Sequence, residues 1–243
     1  MDLVELEKKR AEIIKAEIGS LLFNLGKTHI GFWSNYFNVD KGGFKTEYSY
    51  EIFSGYQNYY KKAFDIDLKR VSHELVKFFY DTEIYLSEKV GGLKLADVMY
   101  GGAIKNKDKT IKDFILKIFL NGCENINSGI DKGTPPNEQQ LDFLRITNAF
   151  GSYKERVIED RFDIQRQCFF YKLWDKIKVM SRKPEEFIYE DWVEMRKFIF
   201  SKIKGWYSHL LSDSRYPVND VTLWDQVYMT SSLFKAALAA ITL

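Results

Sequence analysis

Gly19-Ser20-Leu21-Leu22-Phe23-Asn24-Leu25-Gly26-Lys27 closes the first apolar run of the chain. Upstream of it, Leu3, Leu6, Ile13, Ile14, Ile18, Leu21, Leu22 and Leu25 recur at steps of three and four residues, the spacing that gathers side chains on one face of an α-helix. Gly26 follows the last of them and is expected to stop the helix, because glycine enters the left-handed conformation of a C-terminal cap without steric cost. The chain therefore opens with an amphipathic helix whose apolar face needs a core to bury it.

Outward from this segment the pattern stays helical. His29 to about Tyr60 is aromatic, contains glycine and carries the turn Asp40-Lys41-Gly42-Gly43, which predicts an irregular insertion. Helices are expected from Leu68 to Tyr80, around Leu95 between the pairs Gly91-Gly92 and Gly101-Gly102, and from about Asp108 to Leu120, with Ile111, Ile115, Ile118 and Phe119 facing inward. Asn121 to Asn137, polar and rich in glycine with Pro135-Pro136, reads as a loop. Long helices follow over Glu138–Ala149, Glu155–Met180 and Tyr189–Leu211, with Pro184-Glu185-Glu186 suited to a first helical turn. After a loop holding Pro217, Asp220 or Thr222 can cap the last helix, Val221 to Leu243, and Asp225 stands three residues after Thr222 as in a capping box. The expected fold is all-α, a multi-helix bundle in a single domain over residues 1–243 with insertions at about 28–66 and 121–137. The last helix grows more apolar to its end without glycine, proline or a basic last turn, which predicts an N-terminal fragment of a longer protein, since natural C-termini are usually polar and frayed.

Composition narrows the function classes. Of 243 residues 45% are hydrophobic, which suits a globular chain, and 16% are aromatic, an excess best used in core packing. A net charge of +2 argues against a fold that binds nucleic acid through bulk basicity. Cys123 and Cys168 are the only cysteines and make neither a disulfide framework nor a CxxC knuckle, which points to a reducing compartment. The charged start lacks the apolar core of a signal peptide, and no run reaches the roughly eighteen apolar residues of a membrane span, so a cytoplasmic location without a membrane partner is expected.

Chemistry-bearing residues are sparse. His29, His73 and His209 are scattered, and HExxH, GxxxxGK[ST] and GxSxG patterns are absent. A mononuclear metal site needs three or four converging ligands, and these histidines offer no local pair. Asp220 and Asp225 read first as helix-capping and first-turn charges. Lys61 and Lys62, next to Tyr59-Tyr60, form with Lys27 the candidate nucleic-acid contacts, with a solvated helix face as the more frequent use of such a cluster.

Residues 19–27 nevertheless resemble the HD-superfamily pattern, in which an apolar helix ends in His-Asp, one apolar residue, Gly and Lys. In that family the doublet offers an imidazole nitrogen and a carboxylate oxygen to one metal ion, which activates water for phosphodiester cleavage. Here the doublet reads Phe23-Asn24: a phenyl ring cannot ligate, and a carboxamide offers only a neutral oxygen. Asn219 to Lys235 is similar to the end of the HD domain in the large subunits of type III CRISPR effectors, which commonly read Asn-Asp-x-Thr-Leu-Trp-Asp-His before a Ser/Thr- and Ala-rich helix; Gln226 stands where His is usual. Gly122 to Gly133 resembles a Gly-Asp-Ser/Gly-Asp-Lys loop of one branch of these proteins. The resemblance implies an HD-like domain with a degenerate metal site, no cofactor and no catalysis of its own, acting in antiviral defence as a structural and assembly module. Its partners would be the other subunits of an RNA-guided complex, with guide RNA and target nucleic acid met indirectly. The later cyclase-like domains of such subunits carry a Gly-Gly-Asp-Asp segment that these residues lack. The alternative is a divergent metal-dependent single-stranded DNA nuclease, drawing divalent-metal ligands from His29, His73, His209, Asp220 and Asp225.

Overall fold

The computed structural model describes residues 2–28, 68–88, 91–99, 115–131, 145–147, 154–156, 159–180, 182–210, 212 and 221–242. Seven α-helices run through them: α1 (Leu3–Leu22), α2 (Leu68–Asp81), α3 (Leu95–Met99), α4 (Asn121–Asp131), α5 (Glu159–Met180), α6 (Tyr189–Tyr207) and α7 (Leu223–Thr242). Two antiparallel hairpins, β1 (Glu83–Ser87) with β2 (Gly91–Lys94) and β3 (Arg145–Thr147) with β4 (Lys154–Arg156), are the strands among these residues. The mostly helical character is as expected. No helix among the described residues is long and apolar enough to cross a membrane.

Helix α1 is the axis, packed along α6, α7, α3 and β1. Asp2 caps it, its carboxylate accepting from Glu5 N at 2.7 Å. The apolar face is buried only from Ala11 onward; Leu3, counted on the inner face by periodicity, is 69% exposed. The helix also ends earlier than glycine placement predicts. Its last residue is Leu22, and Leu25–Thr28, with Gly26 inside, forms a 3-10 turn closed by Lys27 N on Asn24 O at 3.0 Å. The tighter turn carries the chain away from the helix axis while keeping Leu21, Leu22, Phe23 and Leu25 buried. Each such side chain contributes about 1.5–3 kcal/mol relative to an exposed one.

The short helix expected around Leu95 is present as α3, while two other expectations need correction and one strand was not foreseen. Gly91-Gly92, ahead of that helix, starts β2, whose register pairs Ile84 with Leu93 and Tyr85 with Gly92. Gly91 has φ +76, a conformation side-chain-bearing residues rarely adopt, and the exposed–buried alternation along β1 is the period-2 mark of a strand. Asn121–Asp131 is not a loop: the π-helical turn Ile115–Leu120 runs directly into α4. Packing against α7 overrides the weak local propensity of that Asn- and Gly-rich stretch, because Cys123, Glu124 and Asn127 are buried. Arg145–Thr147, expected within a helix, is a strand paired with Lys154–Arg156, so α5 starts at Glu159. Of the insertion expected over about 28–66, all but Thr28 lies outside the described residues, as do the prolines of the 121–137 stretch.

Aromatic side chains fill the core among the described residues. Phe78, Phe187 and Trp192 join α2 to α6, with ring centroids 5.1–6.2 Å apart. Phe169 meets Trp206 at 5.8 Å, joining α5 to α6. Phe200 of α6 stands edge-on to Trp224 at 4.8 Å, and Trp224 stacks on the half-exposed Tyr228 of its own helix at 5.5 Å.

Candidate functional site

The seam between α1 and α7 gathers several of the buried polar groups among the described residues. Ser20 Oγ and Ser231 Oγ are 2.7 Å apart, and Glu17 meets Lys235, so the two helices run antiparallel. Small side chains permit this approach. On the neighbouring side of α1, a Cβ at Gly19 would lie 2.8 Å from Val98 Cβ and Cγ1, so glycine lets α3 press against the helix backbone.

At the outer level of the seam the Glu17 carboxylate is 7% exposed, and one of its oxygens accepts from Arg196 Nη2 at 2.7 Å, Arg196 Nε at 3.1 Å and Lys235 Nζ at 3.2 Å. Arg196 also lies over the Phe200 ring at 4.7 Å. One acid thus ties α1 to α6 and α7. The sequence held a signal for it: Glu17 interrupts an apolar stripe between Ile13, Ile14, Ile18 and Leu21.

Beyond the end of α1, at the 3-10 turn, is a second, buried cluster. Lys27 Nζ donates to Gln226 Oε1 at 2.5 Å and to Ser212 O at 2.8 Å. Gln226 Nε2 donates to Glu124 Oε1 at 3.4 Å, and Asn127 Nδ2 donates to Gln226 O at 3.0 Å. Lys27, Ser212, Gln226, Glu124 and Asn127 are all buried. Asn24 is 1% exposed and neither atom of its carboxamide has a hydrogen-bond partner, while Phe23 beside it belongs to the hydrophobic core. The start of α7 is held from outside by Thr222 and Asp225: Asp225 N donates to Thr222 Oγ1 and Thr222 N to Asp225 Oδ2, both at 3.2 Å. That is the expected capping box, with Asp in place of Glu.

The structure brings Asn24, Lys27, Glu124, Asn127 and Gln226 to one region and leaves other named residues elsewhere. Lys27, a candidate nucleic-acid contact, is 5% exposed and directs its ammonium into the protein. Asp225 is exposed and caps α7, and His209 is exposed in the turn after α6. His29, Lys61, Lys62 and Asp220 lie outside the described residues, and His73 is described in its backbone only. Among the described residues no group of three or more His, Cys, Asp or Glu is placed to hold a metal ion. The cluster offers an ammonium, a carboxylate and three carboxamides, a set suited to hydrogen bonding and charge balance. Burial pushes up both the Cys123 thiol and the Tyr207 phenol. No protein-family model, curated protein or solved structure matches this chain.

Proposed function

We propose that the chain is a degenerate HD-like domain of the large subunit of a type III CRISPR effector complex, serving structure and assembly in antiviral defence rather than cutting nucleic acid. One observation carries the reading. The three segments that resemble that family, residues 19–27, 122–133 and 219–235, are far apart in the chain yet meet through Lys27, Glu124, Asn127 and Gln226. Independent coincidences of sequence have no reason to converge in space.

On this reading Phe23 and Asn24 occupy the metal-binding doublet and Gln226 a usual histidine position. A buried phenyl ring offers no lone pair, and the Gln226 carboxamide is engaged with Lys27 and Glu124. A divalent transition metal selects imidazole and carboxylate donors, so this set makes a poor centre for hydrolysis. The partners are the remaining subunits of the complex, with guide and target nucleic acid contacted indirectly, in the cytoplasm.

Two measurements test the proposal. The purified chain with manganese, nickel or magnesium should leave single-stranded DNA intact; cleavage abolished by Asp220→Ala or Asp225→Ala would end the degeneracy claim. Affinity purification of the native protein from its own cells should bring down short guide RNA with the other subunits. Recovery of intact protein without such RNA would remove the assignment to an RNA-guided complex.

A further inference from the structure

We infer that Lys27 is a tethered cation: its ammonium supplies from within the chain the positive charge around which the ends of α1, α4 and α7 assemble. The cluster geometry alone carries this, with no appeal to the family resemblance. Lys27 Nζ lies at hydrogen-bond distance from oxygens of two segments, the Ser212 carbonyl and Gln226 Oε1. Gln226 extends the polarity, since its Oε1 accepts from the cation while its Nε2 donates to the buried Glu124 carboxylate. The carboxamide dipole is therefore aligned between a positive and a negative group, the orientation that lowers the energy of both.

Desolvating an ammonium is costly, and an apolar side chain would fill the same volume more easily, so the charge has a role that packing lacks. That role is visible in the chain path. Ser212 N donates to Val221 O at 3.1 Å and Leu223 N to Leu210 O at 2.7 Å, closing the connection between α6 and α7. The ammonium binds the Ser212 carbonyl on the inner side of this closure and Gln226 in the first turn of α7. It therefore clamps the closure to the 3-10 turn after α1. Asn24, one turn before Lys27 and without a partner for its carboxamide, adds a further uncommitted oxygen at the same end of α1. The chemical class that fits is a primary ammonium ion, and here the chain carries its own.

The test is chemical rescue. Lys27→Ala removes Cγ, Cδ, Cε and Nζ, which n-propylammonium reproduces atom for atom. Lys27→Ala should melt about 8 °C below the wild-type chain. Refolded in 100 mM n-propylammonium chloride it should regain about 3 °C over the same concentration of sodium chloride. Lys27→Met, which keeps the volume without the charge, should melt low and gain nothing, and neutral n-propanol should rescue neither variant. Lys27→Met as stable as wild type, or n-propanol matching n-propylammonium, would overturn the inference. Should Lys27→Ala fail to fold, the double-mutant cycle of Lys27→Met and Gln226→Leu decides. The pair should be far less harmful than the sum of the single changes, because donor and acceptor leave together, and strict additivity would overturn the inference.

Discussion

The two polar levels of the α1–α7 seam solve one problem in opposite ways. At the Glu17 level only the acid is buried; Arg196 and Lys235 remain 28% and 40% exposed, their stems on the protein and their heads partly in water. At the Lys27 level every named member is inside. In the first arrangement the two cations are partly open to solvent, so losing the acid lets both return to water. The second leaves any widowed group without water, so its members stand or fall together. Solvent access, more than the number of contacts, decides how much a polar interaction in this protein can be disturbed.

Three substitutions and one change of salt test that contrast. Gln226→Leu should give the largest loss, about 3 kcal/mol by urea unfolding, because it strips an acceptor from the buried Lys27 and a donor from Glu124. Glu17→Gln should cost less, about 1.5 kcal/mol, since Arg196 and Lys235 regain hydration. Asn24→Leu, close in shape, should act in the opposite direction and raise stability by about 1 kcal/mol, because it removes a buried carboxamide that has no partner. The smallest effect is that of salt. Between 0.1 M and 1 M sodium chloride the gap between wild type and Glu17→Gln should shrink by about 0.5 kcal/mol while the Gln226→Leu gap holds, since screening reaches exposed charges and spares buried ones. Equal salt sensitivity of the two gaps would erase the distinction.

The fold was legible where the apolar spacing was long and regular. The expected helices over Glu155–Met180, Tyr189–Leu211 and Val221–Leu243 correspond to α5, α6 and α7 within a few residues at each end. It was illegible where local chemistry and tertiary packing disagree. Asn121–Asp131 carries turn-forming residues, and only its burial against α7 makes it helical. Gly91-Gly92 signalled a break, while the alternation of Ile84 and Leu86 with exposed neighbours held the strand signal that the glycines masked. In the candidate site, Asn24, Lys27 and Gln226 were marked by the segments containing them. Their convergence, and the part of Glu124 and Asn127 in it, depends on pairings across about a hundred residues or more that no local pattern encodes.

The stacked pair of Trp224 and Tyr228 has a practical consequence. Trp224 lies two residues before Gln226, its indole shielded between the Phe200 edge and the Tyr228 face. In a background where the other tryptophans are replaced by phenylalanine, its emission wavelength and quenching would read out opening of the seam in real time. The protein thus carries a native optical gauge beside its most closely tied polar groups, and no dye has to be attached to watch them come apart.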